Sequence, residues 1–438
     1  MNVREVAVSI INDVLNKEAY SNLLLNKMIN DNAVSEIDVP LLTELVYGTV
    51  QYKITLDYYL LDYIGDRKIP NYVRNILRMS LYQMKYLDKI PDHAIINEAV
   101  ELSKARYDQN TANFVNAVLR NILRNWVKSL EDIENPIERL SIETSHPEWL
   151  VKMWSKQYSY ELAEKLCDIN NTKPYQFARL NFLKESKEEI LHQLDKEHLH
   201  YSLVDGIEEA IYFTQNNVAH SQAYKKGLLN IQDLSSMIVG KILDPQVGET
   251  ILDTCSAPGG KSTHLAELMN NQGTVVSCDI HEHKMDLIKF NAKRLGTSIV
   301  KPMLCDATKL SQVFTKESFD RVLVDAPCSG FGVIRRKPEI KYNKEPQDID
   351  EIIILQKQII DEAMTMVKPG GRLVYSTCTI NKKENEKMVE YILASGLYEL
   401  DQEPFKKLGI ESNGHVQLIE QFKGMDVFFI SAFKRKNA

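Results

Sequence analysis

The sequence predicts a multidomain chain in three parts: an all-helical domain over residues 1–135, linker helices with a small α+β subdomain over 136–235, and an α/β domain over 236–438. Three observations predict it. To about residue 130 apolar residues recur at helical spacing with no period-2 alternation. From 175 short β-rich and helical runs follow in the order strand, helix, strand, strand, helix, strand. From 236 the pattern becomes one strand to one helix, which predicts a parallel sheet wound by crossover helices.

Length and composition bound the rest. A chain of 438 residues has room for two or three domains, each able to bury a core without disulfides. No apolar run approaches the ~18 residues that a spanning helix needs. The opening MNVREVAVSIINDVLNKEAY carries Arg4 and Glu5 among helically spaced apolar residues, so it is expected to start a folded helix and not a signal peptide. Six cysteines form no CxxC pair, which argues against zinc and against a secreted disulfide framework. The expected compartment is the reducing cytoplasm. A net charge of −7 argues against indiscriminate coating of nucleic acid and leaves room for local basic faces.

In the helical part, PDHAIINEAVELSKARY offers Asp92 as an N-cap, with Ile95, Ala99 and Leu102 as a buried stripe. NFVNAVLRNILRNWVK follows, with Val115, Val118, Leu119, Ile122 and Trp126 on its apolar side. Arg120, Arg124 and Lys128 recur every four residues on another side, a row that either tracks phosphates or is a solvated face. Asn135-Pro136 and Ser145-His146-Pro147 punctuate a linker region. FARLNF, KEEILHQLDKE, HYSLV, AIYFT, NVAHSQAY and GLLNIQ then read as βαββαβ, a split unit of the ferredoxin-like type.

The strands of the last part are ETILDTC, GTVVSCDI, SIVKPMLCDA, FDRVLVDAPC and GGRLVYSTC, with a helix from about 349 to 367. GHVQLIEQF and DVFFISAFKR close the chain as an antiparallel hairpin around Gly424. A parallel sheet ending in such a hairpin is the outline of a class I methyltransferase and not of a standard dehydrogenase.

The loop LDTCSAPGGKSTHLAE ends like a phosphate loop at Gly260, Lys261 and Ser262, but Cys255 stands where the first glycine would be. It also lacks GxGxxG. What remains is a strand, a small-residue turn and a helix, which lets backbone approach a ligand across the strand ends. Asp279 lies 20 residues beyond Gly259 (279 − 259), where a carboxylate binds ribose hydroxyls, and Asp306 ends the third strand. A ligand with ribose and adenine is implied, and S-adenosylmethionine fits.

Cys328 and Cys378 end the fourth and fifth strands, which are neighbours about 4.8 Å apart in this architecture, so both thiols would face the methyl donor. A thiol is needed when the methyl acceptor is a carbon with no nucleophilicity of its own. Cytosine C5 gains it once a thiolate adds to C6 and leaves an enamine. An amino-group methyltransferase needs no thiol, and Asp325-Ala326-Pro327-Cys328 stands where its Asn/Asp-Pro-Pro-Tyr/Phe motif would be. Cys255, Cys278 and Cys305 read as small packing residues.

TCSAPGGK, DAPCSGFGVIRR and YSTCT resemble the signature motifs of RNA cytosine-C5 methyltransferases, over about 200 residues from 236. LTELVYGTV, INEAVELSK and ANFVNAVLRN resemble the antitermination factor NusB. The pairing is characteristic of the bacterial 16S ribosomal RNA cytosine-C5 methyltransferase B family, also called Sun or Fmu, and covers nearly the whole chain. The resemblance implies a NusB-like RNA-binding domain, a ferredoxin-like subdomain and a class I, Rossmann-like methyltransferase domain. It implies methyl transfer from S-adenosylmethionine to C5 of cytosine 967 of 16S RNA through a covalent Cys–C6 adduct.

Carried over to this sequence, the resemblance makes Cys378 the nucleophile and Cys328 an assistant in product release; the residues alone do not rank the two. Cys255, Ser256, Ala257, Pro258, Gly259, Gly260, Lys261, Asp279, Asp306 and Asp325 would line the donor site, with Asp325 also near the cytosine. Arg120, Arg124, Lys128, Arg335 and Arg336 are the candidates for RNA phosphates. The expected partner is 16S ribosomal RNA or a small-subunit assembly intermediate, met by a monomer without metal or membrane. Two rivals stand beside it: a transfer RNA cytosine-C5 methyltransferase, and a NusB-like RNA-binding factor whose methyltransferase domain is structural. Both cysteines, the glycine turn and three strand-end aspartates in one chain disfavour a dead site.

Overall fold

The computed structural model describes residues 2–17, 19–31, 34–126, 128–214, 218–420 and 422–437. The chain forms two compact units, Met1–Thr172 with Ile334–Glu345, and Lys173–Val333 with Pro346–Ala438.

The first unit is helical. Its helices, from Val3–Asn16 to Tyr160–Asn171, close over a core that includes Ile10, Ile11, Leu45, Leu60, Leu77 and Leu119, all shut off from solvent. Ile95, Ala99 and Leu102 are buried on the helix Asp92–Arg106 as expected, and Ala99 and Leu102 line that core with Ile96. Asp92 is not its cap: Pro91 takes that position, and Asp92 sits in the first turn, where a negative charge still favours the free amide end. The three helices from Pro136 to Asn171 also belong to this unit, although the sequence grouped them with the segment that follows.

The helix Gln109–Asn125 begins under Asp108, which accepts a hydrogen bond from the Thr111 amide, and ends earlier than the sequence suggested. Trp126 turns left-handed (φ 55°) and is exposed, so it is not part of the buried stripe. Val127, inside the run read as helical, lies outside the described residues. Lys128 therefore leaves the row of Arg120 and Arg124; its ammonium lies 3.0 Å from Asp62 and over the ring of Tyr58.

Ile334–Glu345 contributes three buried side chains of charged type to this unit, Arg335, Glu339 and Lys341. The carboxylate of Glu339 accepts the amide (3.1 Å) and hydroxyl (2.9 Å) of Ser21, and Lys341 donates to the carbonyl of Gln51 at 2.8 Å.

The second unit starts with four antiparallel strands, β1 (Gln176–Leu180), β2 (Ser202–Leu203), β3 (Ala210–Phe213) and β4 (Leu229–Ile231), in the order β2-β3-β1-β4. With the helices Lys187–Lys196 and Gln222–Lys225 this is the expected βαββαβ unit. Asn217, at the start of the run read as its second helix, lies outside the described residues.

The larger sheet comprises β5 (Thr250–Asp253), β6 (Thr274–Asp279), β7 (Val300–Leu304), β8 (Phe319–Asp325), β9 (Val367–Thr377), β10 (Tyr398–Leu400), β11 (His415–Leu418) and β12 (Phe428–Arg435). Its order is β10-β12-β9-β8-β5-β6-β7, with β11 paired to β12. β5 to β9 run parallel and β12 antiparallel to β9. The strands read as near-continuous apolar runs because helices cover both faces. Ile251, Leu323 and Val374 enter one core with Leu234–Leu243, while Leu252, Val322, Val324 and Leu373 enter the other with Pro346–Met366. The strand order reverses at β5, between β6 and β8, and a ligand crevice is expected outside the carboxyl ends at such a point.

Candidate active site

β8 and β9 are in register so that Asp325 lies opposite Ser376, and the next residues of both strands leave the sheet at the same level. Cys328 and Cys378 follow, and their sulfurs are 3.3 Å apart, both half-buried. The loop carrying Cys328 is tied back by the Gly332 amide, which donates to the Cys378 carbonyl at 2.9 Å, and by the Val427 amide on the Gly332 carbonyl at 3.1 Å. A side chain at Gly332 would start 2.0 Å from the Val427 oxygen, so the approach needs glycine.

Asp325 accepts Lys261 Nζ at 2.8 Å on one oxygen and Ser376 Oγ at 2.8 Å on the other. Lys261 also donates to Ser236 at 2.9 Å and lies over the ring of Phe428. Burial pulls its ammonium down, but Asp325, Asp253 and Cys378 more than offset this and hold it above the ordinary lysine value.

The turn between β5 and the helix Gly260–Leu268 bends through Gly259 at φ 96°, where an added side chain would start 3.3 Å from Ile288. Ser256 donates through its amide and its hydroxyl to the Cys278 carbonyl. Asp279, nearly buried at the end of β6, accepts the Ala257 amide at 3.2 Å and the His281 amide at 3.0 Å, which ties the turn to the second strand. Asp306 caps the short turn Ala307–Gln312 by accepting the amide and hydroxyl of Thr308, bonds that hold its carboxyl below the usual range. Burial pushes the Cys255 thiol up to about 12, and Cys278 and Cys305 are buried among apolar side chains, as packing residues would be.

Two residues here were not singled out from the sequence. Asp253, fully buried at the end of β5, accepts Ser262 Oγ at 2.6 Å on one oxygen, and its other oxygen makes no hydrogen bond of normal geometry. Burial raises its carboxyl to about 7, with the Ser262 hydroxyl and the Cys255 amide pulling against the rise. Glu384 is fully buried behind the loop of Cys328. The glycine turn, the Asp279 carboxylate and the orphaned oxygen of Asp253 suit a donor with a ribose and a cationic amino-acid end. S-adenosylmethionine has both, so the residues present fit it.

Of the five candidates for RNA contact, Arg120 and Arg124 are exposed on the helix Gln109–Asn125. Lys128 is off that helix and paired with Asp62. Arg335 is only 4% exposed, so its charge is not presented to a solvent-borne phosphate. Arg336 is half-buried.

Three family models match the chain: 16S rRNA methyltransferase RsmB/F over residues 240–434, the NusB family over 1–124, and the ferredoxin-like domain of RsmF/B-like methyltransferases over 146–219. The chain is similar to the probable ribosomal RNA small subunit methyltransferase B of Bacillus subtilis (strain 168), 46% identical over 99% of each chain. In fold it is similar to the crystal structure of PH0851, with a TM-score of 0.84 at 24% identity over 99% of each chain. It is also similar to NSun6 from Pyrococcus horikoshii with SFG, with a TM-score of 0.60 at 22% identity over 67% of this chain and 99% of that one.

Proposed function

The chain belongs to the ribosomal RNA small subunit methyltransferase B family, S-adenosylmethionine-dependent RNA cytosine-C5 methyltransferases, and from that premise we propose that it methylates C5 of cytosine 967 of 16S RNA through an adduct on Cys378. The observation that carries this reading is the pair of thiols 3.3 Å apart at adjacent strand ends, beside the Lys261–Asp325 pair.

Cys378 attacks C6 as the thiolate, and the ring electrons move to C5. S-adenosylmethionine, when bound, supplies the methyl group from its sulfonium. Asp279 and the turn from Cys255 to Lys261 hold the donor, with Asp253 and Asp306 at the flanking strand ends. Lys261 orients Asp325 toward the base. The C5 proton is then lost to solvent water, its bonding electrons restore the C5–C6 double bond, and the C6–S bond breaks to release Cys378 as a thiolate, a step assisted by Cys328. The target base must leave its stack to reach a thiolate, which favours an unpaired cytosine. Arg120, Arg124 and Arg336 remain candidates for phosphate contact. The reading also carries a monomer in the reducing cytoplasm, where both thiols stay free.

Alanine at each thiol tests it. Cys378→Ala should yield neither methylated RNA nor a covalent complex. Cys328→Ala should methylate once, stall, and accumulate an RNA–protein adduct that survives a denaturing gel. Adduct from Cys378→Ala alone would move the nucleophile to Cys328, and full turnover by both variants would end the covalent mechanism.

A further inference from the structure

Behind the two thiols lies a second polar layer that the reaction as written does not use. Glu384 is fully buried, and its carboxylate accepts four hydrogen bonds from neutral donors. These are the Ser329 amide (2.8 Å), the Ser329 hydroxyl (2.6 Å), the Asn381 side-chain amide (3.0 Å) and that of Gln356 (3.2 Å). Gln356 also donates to the Pro327 carbonyl at 3.0 Å, so the residues on both sides of Cys328 are fastened to this group. The Ser329 hydroxyl is also within 2.7 Å of the Thr379 hydroxyl. Ser329 follows Cys328 and Thr379 follows Cys378. The bridge between them thus ties the two strand-end loops one residue beyond their sulfurs, and Glu384 anchors it. Tyr375 of β9 fixes Glu384 in turn, donating to its backbone carbonyl at 2.6 Å.

A carboxylate taken out of water costs several kcal/mol unless its lone pairs are satisfied, and here they are met by dipoles and not by a cation. We propose that Glu384 is a positioning residue for the methyl-transfer reaction, setting the separation of the two thiols and keeping the proton of the pair on Cys328. The proposal rests on the reading of Cys378 as nucleophile. The neighbouring Cys378 sulfur, burial and the Glu384 charge all push the Cys328 thiol well above its ordinary value. A Cys328 that keeps its S–H stands 3.3 Å from the Cys378 sulfur, and the two cysteines keep separate roles.

The experiment separates this role from simple packing. In the Cys378→Ala protein, the rate at which iodoacetamide alkylates Cys328 is followed against pH by peptide mass spectrometry, with and without Glu384→Gln. The midpoint should fall by about one pH unit when the charge is removed. In the enzyme with both thiols, Glu384→Gln should lower kcat by about a hundredfold, the scale of a small misplacement of reacting groups, with KM for RNA and calorimetric affinity for S-adenosylmethionine unchanged. Ser329→Ala, which keeps the charge but removes the bridging hydroxyl, should lower kcat without moving the alkylation midpoint. If Glu384→Gln fails to fold, this variant carries the test of the bridge, and Glu384→Asp carries that of the charge by leaving the midpoint high. An unmoved midpoint with Glu384→Gln, or undiminished kcat in either Glu384→Gln or Ser329→Ala, overturns the proposal. The alkylation readout needs neither RNA nor turnover. A wild-type protein that methylates no cytosine would thus sink the proposed function while leaving the Glu384 result to be read separately.

Discussion

Asp253 has a carboxyl that burial keeps protonated up to a pH of about 7, well above the ordinary aspartate value. Its folded-state pKa is raised, so without donor this group's own contribution to stability is fully present below about pH 4 and is lost as the pH climbs through about 7, by an amount on the order of a few kcal/mol. Binding of a cationic amino-acid end works in the opposite sense, because it favours the ionised carboxyl. Affinity for S-adenosylmethionine measured by calorimetry is therefore expected to rise between pH 6 and 8 in the wild type and to stay flat in Asp253→Asn. Equal slopes would remove Asp253 from the donor site. The strand-end cysteines and Asp279 were legible because each closes an apolar run, a position that points at the crevice whatever surrounds it. Glu384 was not, since it sits in INKKENEKM, which by composition is a solvated charged run. Only the return of that segment beneath the Cys328 loop buries it. Asp253 was not legible either, since an aspartate before a glycine turn is ordinarily a solvated turn residue and only the closing of the turn over it buries it.

At the scale of single elements, β1 reaches the donor turn through one side chain. Arg179 is fully buried, grips Glu267 with two bonds of 2.7 Å, and donates to the Gly260 carbonyl at 3.1 Å. Arg179→Met should destabilise the chain by about 3 to 5 kcal/mol in urea unfolding, because Glu267 is left charged and alone in the interior. Replacing both by Met should recover most of that loss. A single mutant no worse than the double would show that the pair is not coupled. The parallel strands were legible since β-branched runs buried on two faces have few other uses. The end of the helix Gln109–Asn125 was not, because NWVK contains neither glycine nor proline. What holds the chain after Asn125 is tertiary, including a bond from the Tyr63 hydroxyl to the Trp126 carbonyl. β10 was missed for a simpler reason: three residues, Tyr398–Leu400, are too few to show a period.

At the scale of the whole molecule, the helical unit is assembled from two stretches of sequence, and its second stretch is short. Ser21 finds its carboxylate 318 residues downstream, and the Gln51 carbonyl finds 290 residues downstream the amino group of Lys341, which burial pulls down to about 7. A fragment of residues 1–172 should therefore unfold at lower urea than the same fragment supplied with a peptide of residues 334–345, since bonds to charged groups contribute roughly 1.5 to 3 kcal/mol each. A midpoint indifferent to the peptide would show that the segment only lies on the surface. The consequence reaches back to synthesis. The amino-terminal unit is the first to leave the ribosome, but Glu339 and Lys341 emerge only after most of the second unit's parallel strands. At about 5 to 20 residues per second the wait between Thr172 and Glu345 is roughly ten to thirty seconds. The domain made first is thus finished late, and the order of translation is not the order of completion.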